Sequence, residues 1–213
     1  MAEGGCLVIF RGLPGTGKSF LLKKVMGILR KAKPGLRLAR TSRDELRHLI
    51  LDEPTFDTSE KKMIDGMLVE ISKELLLKHS PFYSFYYLRS YIVFVDGCSF
   101  TKRDGLLDFV AGAHASSSPW ALVECSCRPE MAVKRIEKDV VNGSHPAKDR
   151  DSKLFWRCHS AWEASKLDPK HTLKVDTTID ADLYPNAQLV AAFIKKKCSE
   201  FKCARTSILS SML

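Results

Sequence analysis

Gly12-Leu-Pro-Gly-Thr-Gly-Lys-Ser19 matches the pattern G-x-x-x-x-G-K-[S/T] in full. Before it lies Cys6-Leu-Val-Ile-Phe10, a short apolar run of strand type. After it, from Lys18 to about Lys33, Leu21, Leu22, Val25, Met26 and Leu29 recur at helical spacing. A strand, a glycine-rich turn and a helix in that order are the context in which the motif has physical meaning. Glycines at 12, 15 and 17 let the backbone turn tightly and aim its N–H groups at phosphate oxygens. The helix that opens near Lys18 adds the positive end of its dipole. The stretch therefore predicts a cradle for the phosphates of a nucleoside triphosphate, ATP or GTP. Lys18 is expected to reach the β- and γ-phosphates and the Ser19 hydroxyl to ligate Mg2+, with Leu13, Pro14, Thr16 and Phe20 completing the contact segment.

Outward from the loop, strand and helix patterns alternate. Pro34-Gly35 stops the first helix, and Leu36–Ala39 reads as a second strand. Ser42-Arg43-Asp44-Glu45 has the form of a capping box opening a short helix to Leu51. Asp57 and Glu60 are expected to cap a long helix to about Lys78, with Met63, Ile64, Met67, Leu68, Ile71 and Leu75 as its apolar stripe. Ser80–Ser90 is rich in aromatics, and Tyr91–Val95 is a strongly apolar strand ending at Asp96-Gly97. Thr101 and Asp104 suggest a capping box for the next helix, to about Ala115. Trp120–Glu124 then reads as a strand, and Pro129 opens a helix to about Val141. Asn142–Asp151 is polar and reads as a loop; helix over Ser152–Ala164, strand over Thr172–Val175 and helix over Ala187–Cys198 follow. Residues 201–213 read as a frayed tail. The alternation predicts an α/β fold: a parallel sheet with helices on both faces, in a single domain over residues 1–213.

Composition narrows the classes. The 213 residues are 45% hydrophobic and 28% charged, enough for one sizeable core and too polar for a membrane protein. No apolar run could span a bilayer or serve as an export signal. Seven cysteines without a Cys-x-x-Cys pair suggest reduced thiols and a cytoplasmic protein rather than a zinc site. Lys plus Arg is 34 against 25 for Asp plus Glu, a net charge of +9 that suits a polyanionic partner and equally suits plain solubility.

Two further positions suggest chemistry. Asp96 closes the most apolar strand, so it is expected at the carboxyl edge of the sheet, where it would hold Mg2+ with Ser19. Arg40-Thr-Ser-Arg43-Asp44-Glu45-Leu46-Arg47 lies just past the second strand, at the same edge. A carboxylate there could take a proton from an attacking hydroxyl, and Arg43 and Arg47, four apart on one helix face, could grip an anionic acceptor together with Arg40. The alternative is a first-turn acid that merely complements the helix dipole, among solvated arginines.

With these motifs the chain resembles the polynucleotide-kinase-like P-loop kinases, a family that includes a bacteriophage 5′-hydroxyl polynucleotide kinase domain. The resemblance runs over roughly Cys6–Ile194, with three specific motifs: Gly12–Ser19, Ser42–Arg47 and the strand closing on Asp96. It implies a P-loop NTPase three-layer sandwich, with a five-stranded sheet in which the Asp96 strand lies beside the phosphate-loop strand. It implies Asp44 as general base, Arg47 on the transferred phosphate or the acceptor, and Asp96 as the Walker-B acid. Relatives often carry Thr-Asn or Ala-Asn after that acid, where this chain has Gly97-Cys98. Relatives also carry a lid with two arginines a turn apart. Here the lid region is about 135–160, with Arg135 as its cation and Lys148 and Arg150 as substitutes. The implied activity is transfer of the γ-phosphoryl group to a nucleic-acid 5′-hydroxyl, with Phe82–Tyr87 available to stack bases. A small-molecule hydroxyl, or a nucleotide-dependent switch without transfer, remains open on the same scaffold.

Overall fold

The computed structural model describes residues 5–77, 91–143 and 151–210, and for 201–210 the backbone alone. The aromatic stretch Phe82–Tyr87, Lys148 and Arg150 lie outside the described residues. The elements are β1 (Cys6–Arg11), α1 (Lys18–Ala32), β2 (Arg37–Ser42), α2 (Arg43–Ile50), α3 (Thr58–Leu77), β3 (Tyr91–Asp96), α4 (Asp104–Ala115), β4 (Trp120–Ser126), α5 (Pro129–Asn142), α6 (Ser152–Ser160), β5 (Thr172–Asp176) and α7 (Leu183–Ser210).

The strands form one sheet in the order β2-β3-β1-β4-β5, every neighbouring pair parallel. β1 is central and fully buried, so its side chains divide between two cores. Cys6, Val8 and Phe10 join Leu21, Val25 and Leu29 of α1 and Val190 and Ile194 of α7. Leu7 and Ile9 join Ile64 and Leu68 of α3 and Leu106 and Phe109 of α4. A third, smaller cluster of Ala132, Ile136 and Phe155 fastens α6 to α5, and Leu13 of the glycine-rich loop packs against it. Among the described residues no helix is long and apolar enough to cross a membrane.

Several local expectations change. β2 extends to Ser42 because its ladder with β3 continues to the pair Ser42–Asp96. Ser42 makes no side-chain capping bond to α2, and the Glu45 carboxylate that a capping box would use is instead 2.6 Å from Nη1 of Arg40. Arg103, not Thr101, precedes α4, and no side chain caps that helix. On α3 the buried line is Glu60, Ile64, Leu68, Ser72 and Leu76, whereas Met63, Met67 and Ile71 are exposed. Asp57 does cap α3, accepting from the Glu60 N–H at 2.8 Å. α6 ends at Ser160, short of Ala164, and beyond it the Glu163 N–H donates to the Thr101 carbonyl at 2.9 Å instead of continuing the helix. α7 runs helically past Cys198 to Ser210, and the residues after Cys198 contain no glycine or proline to stop it.

His171, at the entry to β5, stacks on Trp120 with ring centroids 4.3 Å apart and has Nδ1 3.1 Å from the Trp120 carbonyl. Burial is the main cause that lowers its pKa below the ordinary 6.5, the Trp120 carbonyl opposes this, and Lys197 adds to it. The unfolded chain then binds the proton more readily than the fold does, so stability is fully present above the unfolded value and declines as pH falls through it. The melting temperature should fall between about pH 7 and about pH 5.5, and His171→Gln should flatten that decline in a calorimetric pH series.

Candidate active site

The glycine-rich loop leaves β1 at Gly12 and enters α1 at Gly17. Its glycines are required by close contact and by backbone geometry. A Cβ on Gly12 would lie 2.5 Å from the Cys125 carbonyl oxygen, and one on Gly15 would lie 2.3 Å from the Ala132 carbonyl oxygen of α5. Gly15 and Gly17 have φ of 77° and 72°, where side chains are strained. α1 has no side-chain cap and no acidic residue in its first turn, so its N-terminal dipole faces the loop uncompensated. The Leu13 carbonyl accepts from Thr16 Oγ1 at 2.7 Å and from Lys18 Nζ at 2.8 Å. Thr177, just past β5, donates from Oγ1 to the Thr16 carbonyl at 2.7 Å and ties the loop to the far side of the sheet.

The parallel register carries the end of β3 level with the start of α1. Ser19 Oγ donates to Oδ1 of Asp96 at 2.8 Å, and Asp96 is fully buried. Arg40 donates to Oδ2 of the same carboxylate from Nε at 3.0 Å and Nη2 at 2.8 Å. Ser19 and Asp96, each read from the sequence as a metal ligand, thus lie in hydrogen-bonding contact, and Arg40, expected at the acceptor, joins them.

Past Asp96 the chain turns at Gly97, with φ of 77°, directly against α2. A Cβ there would be 3.0 Å from the Arg43 nitrogen and 3.4 Å from that of Asp44. The Gly97-Cys98 sequence thus lets the acidic strand end touch the first turn of α2, and burial pushes the Cys98 thiol up to about 12. Arg43 forks onto Asp65 of α3 at 2.6 and 2.9 Å. Arg47 is buried, with Nε 2.6 Å from Glu60 and its guanidinium 4.7 Å from the Phe56 ring centroid. Its Nη1 is 3.4 Å from Asp44 Oδ1, so Glu60 orients Arg47 and Arg47 sits beside Asp44. Glu60 also accepts from the Thr55 and Phe56 N–H groups at 2.6 and 3.1 Å, pinning the loop before α3.

From α5, Arg135 lies along the loop. Its Nη1 is 3.5 Å from the Gly15 carbonyl, and its Nη2 is 2.8 Å from the Thr177 carbonyl and 2.7 Å from Asp180. Lys18, Ser19, Asp44, Arg47 and Arg135 line one cleft of about 1960 Å³, which runs on between α3 and α4. α6 contributes Arg157 to its wall.

Sequence reading passed over Arg11, although a charge closing an apolar strand is a signal of an internal partner. Its guanidinium is fully buried. Nε donates to the Phe100 carbonyl at 2.8 Å, Nη1 pairs with Glu124 at 2.8 Å, and Nη2 donates to the Glu163 carbonyl. The Trp162 ring lies 3.9 Å from its carbon. Thr177 and Arg157 were also passed over; neither belongs to a recognisable sequence pattern.

Neither a protein-family model nor a curated protein matches the chain. Solved structures do. A candidate kinase from Chloroflexus aurantiacus aligns over 92% of this chain and 99% of its own, at a TM-score of 0.68 and 16% identity. The Mycobacterium tuberculosis APS kinase CysC, in complex with AMPPNP and APS, aligns over 92% and 99% at 0.60 and 16%. Chaetomium thermophilum Kti12, in complex with ADP-AlF3, aligns over 88% and 98% at 0.63 and 15%. The fold is the one these structures share. At such identities the likeness is one of architecture, and the P-loop, the acid on the adjacent strand and the cleft beside them are this chain's own.

Gly15→Ala should abolish nucleotide binding or folding, because the new Cβ meets backbone rather than a movable side chain. Gly27→Ala, in α1 with nothing within 4 Å of the new Cβ, should stabilise the protein, by at most about 1 kcal/mol. Thermal melts with a fluorescent ATP titration distinguish the two outcomes.

Proposed function

We propose that the chain is a P-loop kinase that transfers the γ-phosphoryl group of ATP, or GTP, to a hydroxyl, most specifically the 5′-hydroxyl of a polynucleotide. The observation that carries the kinase reading is one cleft lined by both Lys18–Ser19 and Asp44, with Arg47 holding the carboxylate from behind. A switch without transfer has no need of a carboxylate so held. The neighbours bound to AMPPNP and ADP-AlF3 support a nucleotide in the P-loop.

The loop N–H groups and Lys18 would bind the triphosphate, with Arg135 along its flank. The bonded pair Ser19 and Asp96 is an oxygen donor set of the kind magnesium takes, so these residues fit the ion and would hold it. When bound, magnesium neutralises phosphate charge. Asp44 would align the acceptor hydroxyl and take its proton as the oxygen attacks Pγ and the bond from Pγ to the bridging oxygen breaks. Arg47 would hold Asp44 in position.

The net charge of +9 supports a polyanionic acceptor. One observation favours a small-molecule hydroxyl instead: Arg40, Arg43 and Arg47 are each engaged by carboxylates, so phosphate contacts would fall to Lys61, Lys62 and Arg157 on the cleft wall. We also assign the protein to the cytoplasm, in keeping with the free thiols of its described cysteines.

The test is transfer of labelled γ-phosphate from ATP and GTP to a mixture of 5′-hydroxyl DNA and RNA, with a metabolite pool in parallel. Label on the 5′ end, reduced by about a hundred-fold or more in Asp44→Asn with nucleotide binding retained, is the expected result. Label on a metabolite alone selects the small-molecule acceptor. Undiminished transfer by Asp44→Asn removes the base assignment.

A further inference from the structure

A carboxylate with no exposed surface needs a compensating charge. Ser19 supplies Asp96 with a neutral donor on Oδ1. The cation is Arg40, whose Nε and Nη2 both bind Oδ2 while Nη1 reaches Glu45 at 2.6 Å. β2 and β3 are in register as Arg40–Phe94 and Ser42–Asp96, so Arg40 and Asp96 are diagonal neighbours on one face of the sheet. The guanidinium therefore lies between two acids of opposite character. Asp96 is fully buried, and the Glu45 side chain is 58% exposed. Both oxygens of Asp96 are thereby engaged, one by a hydroxyl and one by a fork of two N–H donors.

This arrangement bears on the metal, and the argument rests on the reading that Ser19 and Asp96 hold it. A divalent ion approaching the free protein meets an acid whose charge is already balanced, and must work against the guanidinium. A triphosphate in the loop brings several negative charges of its own, which outweigh Arg40. Glu45 gives Arg40 a second anchor, so the guanidinium need not lose all its partners when Asp96 turns to the ion. We propose that Arg40 is the built-in counter-ion of the metal site: a positioning residue that holds Asp96 towards Ser19 in the nucleotide-free protein and withholds it from free divalent cations, so that metal enters with the nucleotide.

The experiment uses Mn2+ as a spin probe for magnesium on the full chain, with and without ATP, in parallel with thermal melts. Wild type should take up Mn2+ weakly alone and tightly with ATP. Arg40→Met should bind Mn2+ without nucleotide at least about tenfold more tightly. Its melting temperature should be lower than that of wild type without metal and should rise by several degrees on adding Mn2+, because the ion replaces the missing charge. Arg40→Lys keeps a cation and should restore weak nucleotide-free binding, and it covers the case in which Arg40→Met does not fold. Adding Asp96→Asn to Arg40→Met should abolish the gain; a gain that survives places the ion elsewhere and overturns the proposal. Equal nucleotide-free affinity in wild type and Arg40→Met, with ATP-dependent uptake intact in both, overturns the role of Arg40 alone. Failure of wild type to take up Mn2+ even with ATP overturns the metal reading of Ser19 and Asp96, and this inference with it.

Discussion

A guanidinium with no exposed surface stands at the end of the central strand, one residue before the phosphate loop begins. Arg11 meets Glu124 on β4, the Phe100 carbonyl after β3 and the Glu163 carbonyl after α6, beneath the Trp162 ring. Burying a charge is tolerable only when every donor finds an acceptor, and removing one partner of such a group typically costs about 3–5 kcal/mol. Three segments distant in sequence are therefore held at one point beside Gly12. The return of the chain from α6 is fixed further by the Glu163 N–H to the Thr101 carbonyl at 2.9 Å and by the Arg103 N–H to the Glu163 carboxylate at 3.1 Å. At this end of the phosphate loop the frame is made of ionic and backbone bonds rather than of the apolar core.

The same economy shapes the acceptor side. Each arginine near the β2–α2 junction is tied to a carboxylate on another element: Arg40 to Asp96, Arg43 to Asp65 and Arg47 to Glu60. Together they set the position of α2 against β3 and α3, and thereby the position of Asp44. Asp44 keeps 17% of its side-chain surface while Arg47 keeps 6%, so of the two cleft-lining groups the carboxylate is the more open and the guanidinium the more deeply held. Aim comes from the layer behind the reactive group.

Period and punctuation made the fold readable. β1, β3 and β4 are largely apolar runs because both faces of the sheet are covered, and the place of β3 beside β1 is what the family resemblance implied. Gly12–Ser19 and Asp96 were legible for the same reason, since motif and strand end fall at one sheet edge. What was not legible was charge pairing. Glu45 reads as a capping acid and is taken by Arg40; Arg43 and Arg47 read as a free grip and are taken by Asp65 and Glu60. Those partners lie on elements whose approach depends on tertiary packing, and no local spacing encodes them. The stripe of α3 was legible in part: Ile64 and Leu68 are buried and Leu75 packs against the core, while Met63, Met67 and Ile71 satisfy the period but stay exposed and Leu76 takes their place.

The contact of Gly15 with α5 has a mechanical side. The Ala132 carbonyl sits where a side chain on Gly15 would begin, so loop and helix touch backbone to backbone with nothing compressible between them. A few ångströms away, Leu13 packs into the cluster that fastens α6 to α5. The phosphate loop and the pair of helices after β4 consequently share a fulcrum. Any swing of α5 and α6 over the cleft must turn about that point, and any force on the loop from bound phosphate is delivered there first, to the root of the lever rather than to its tip.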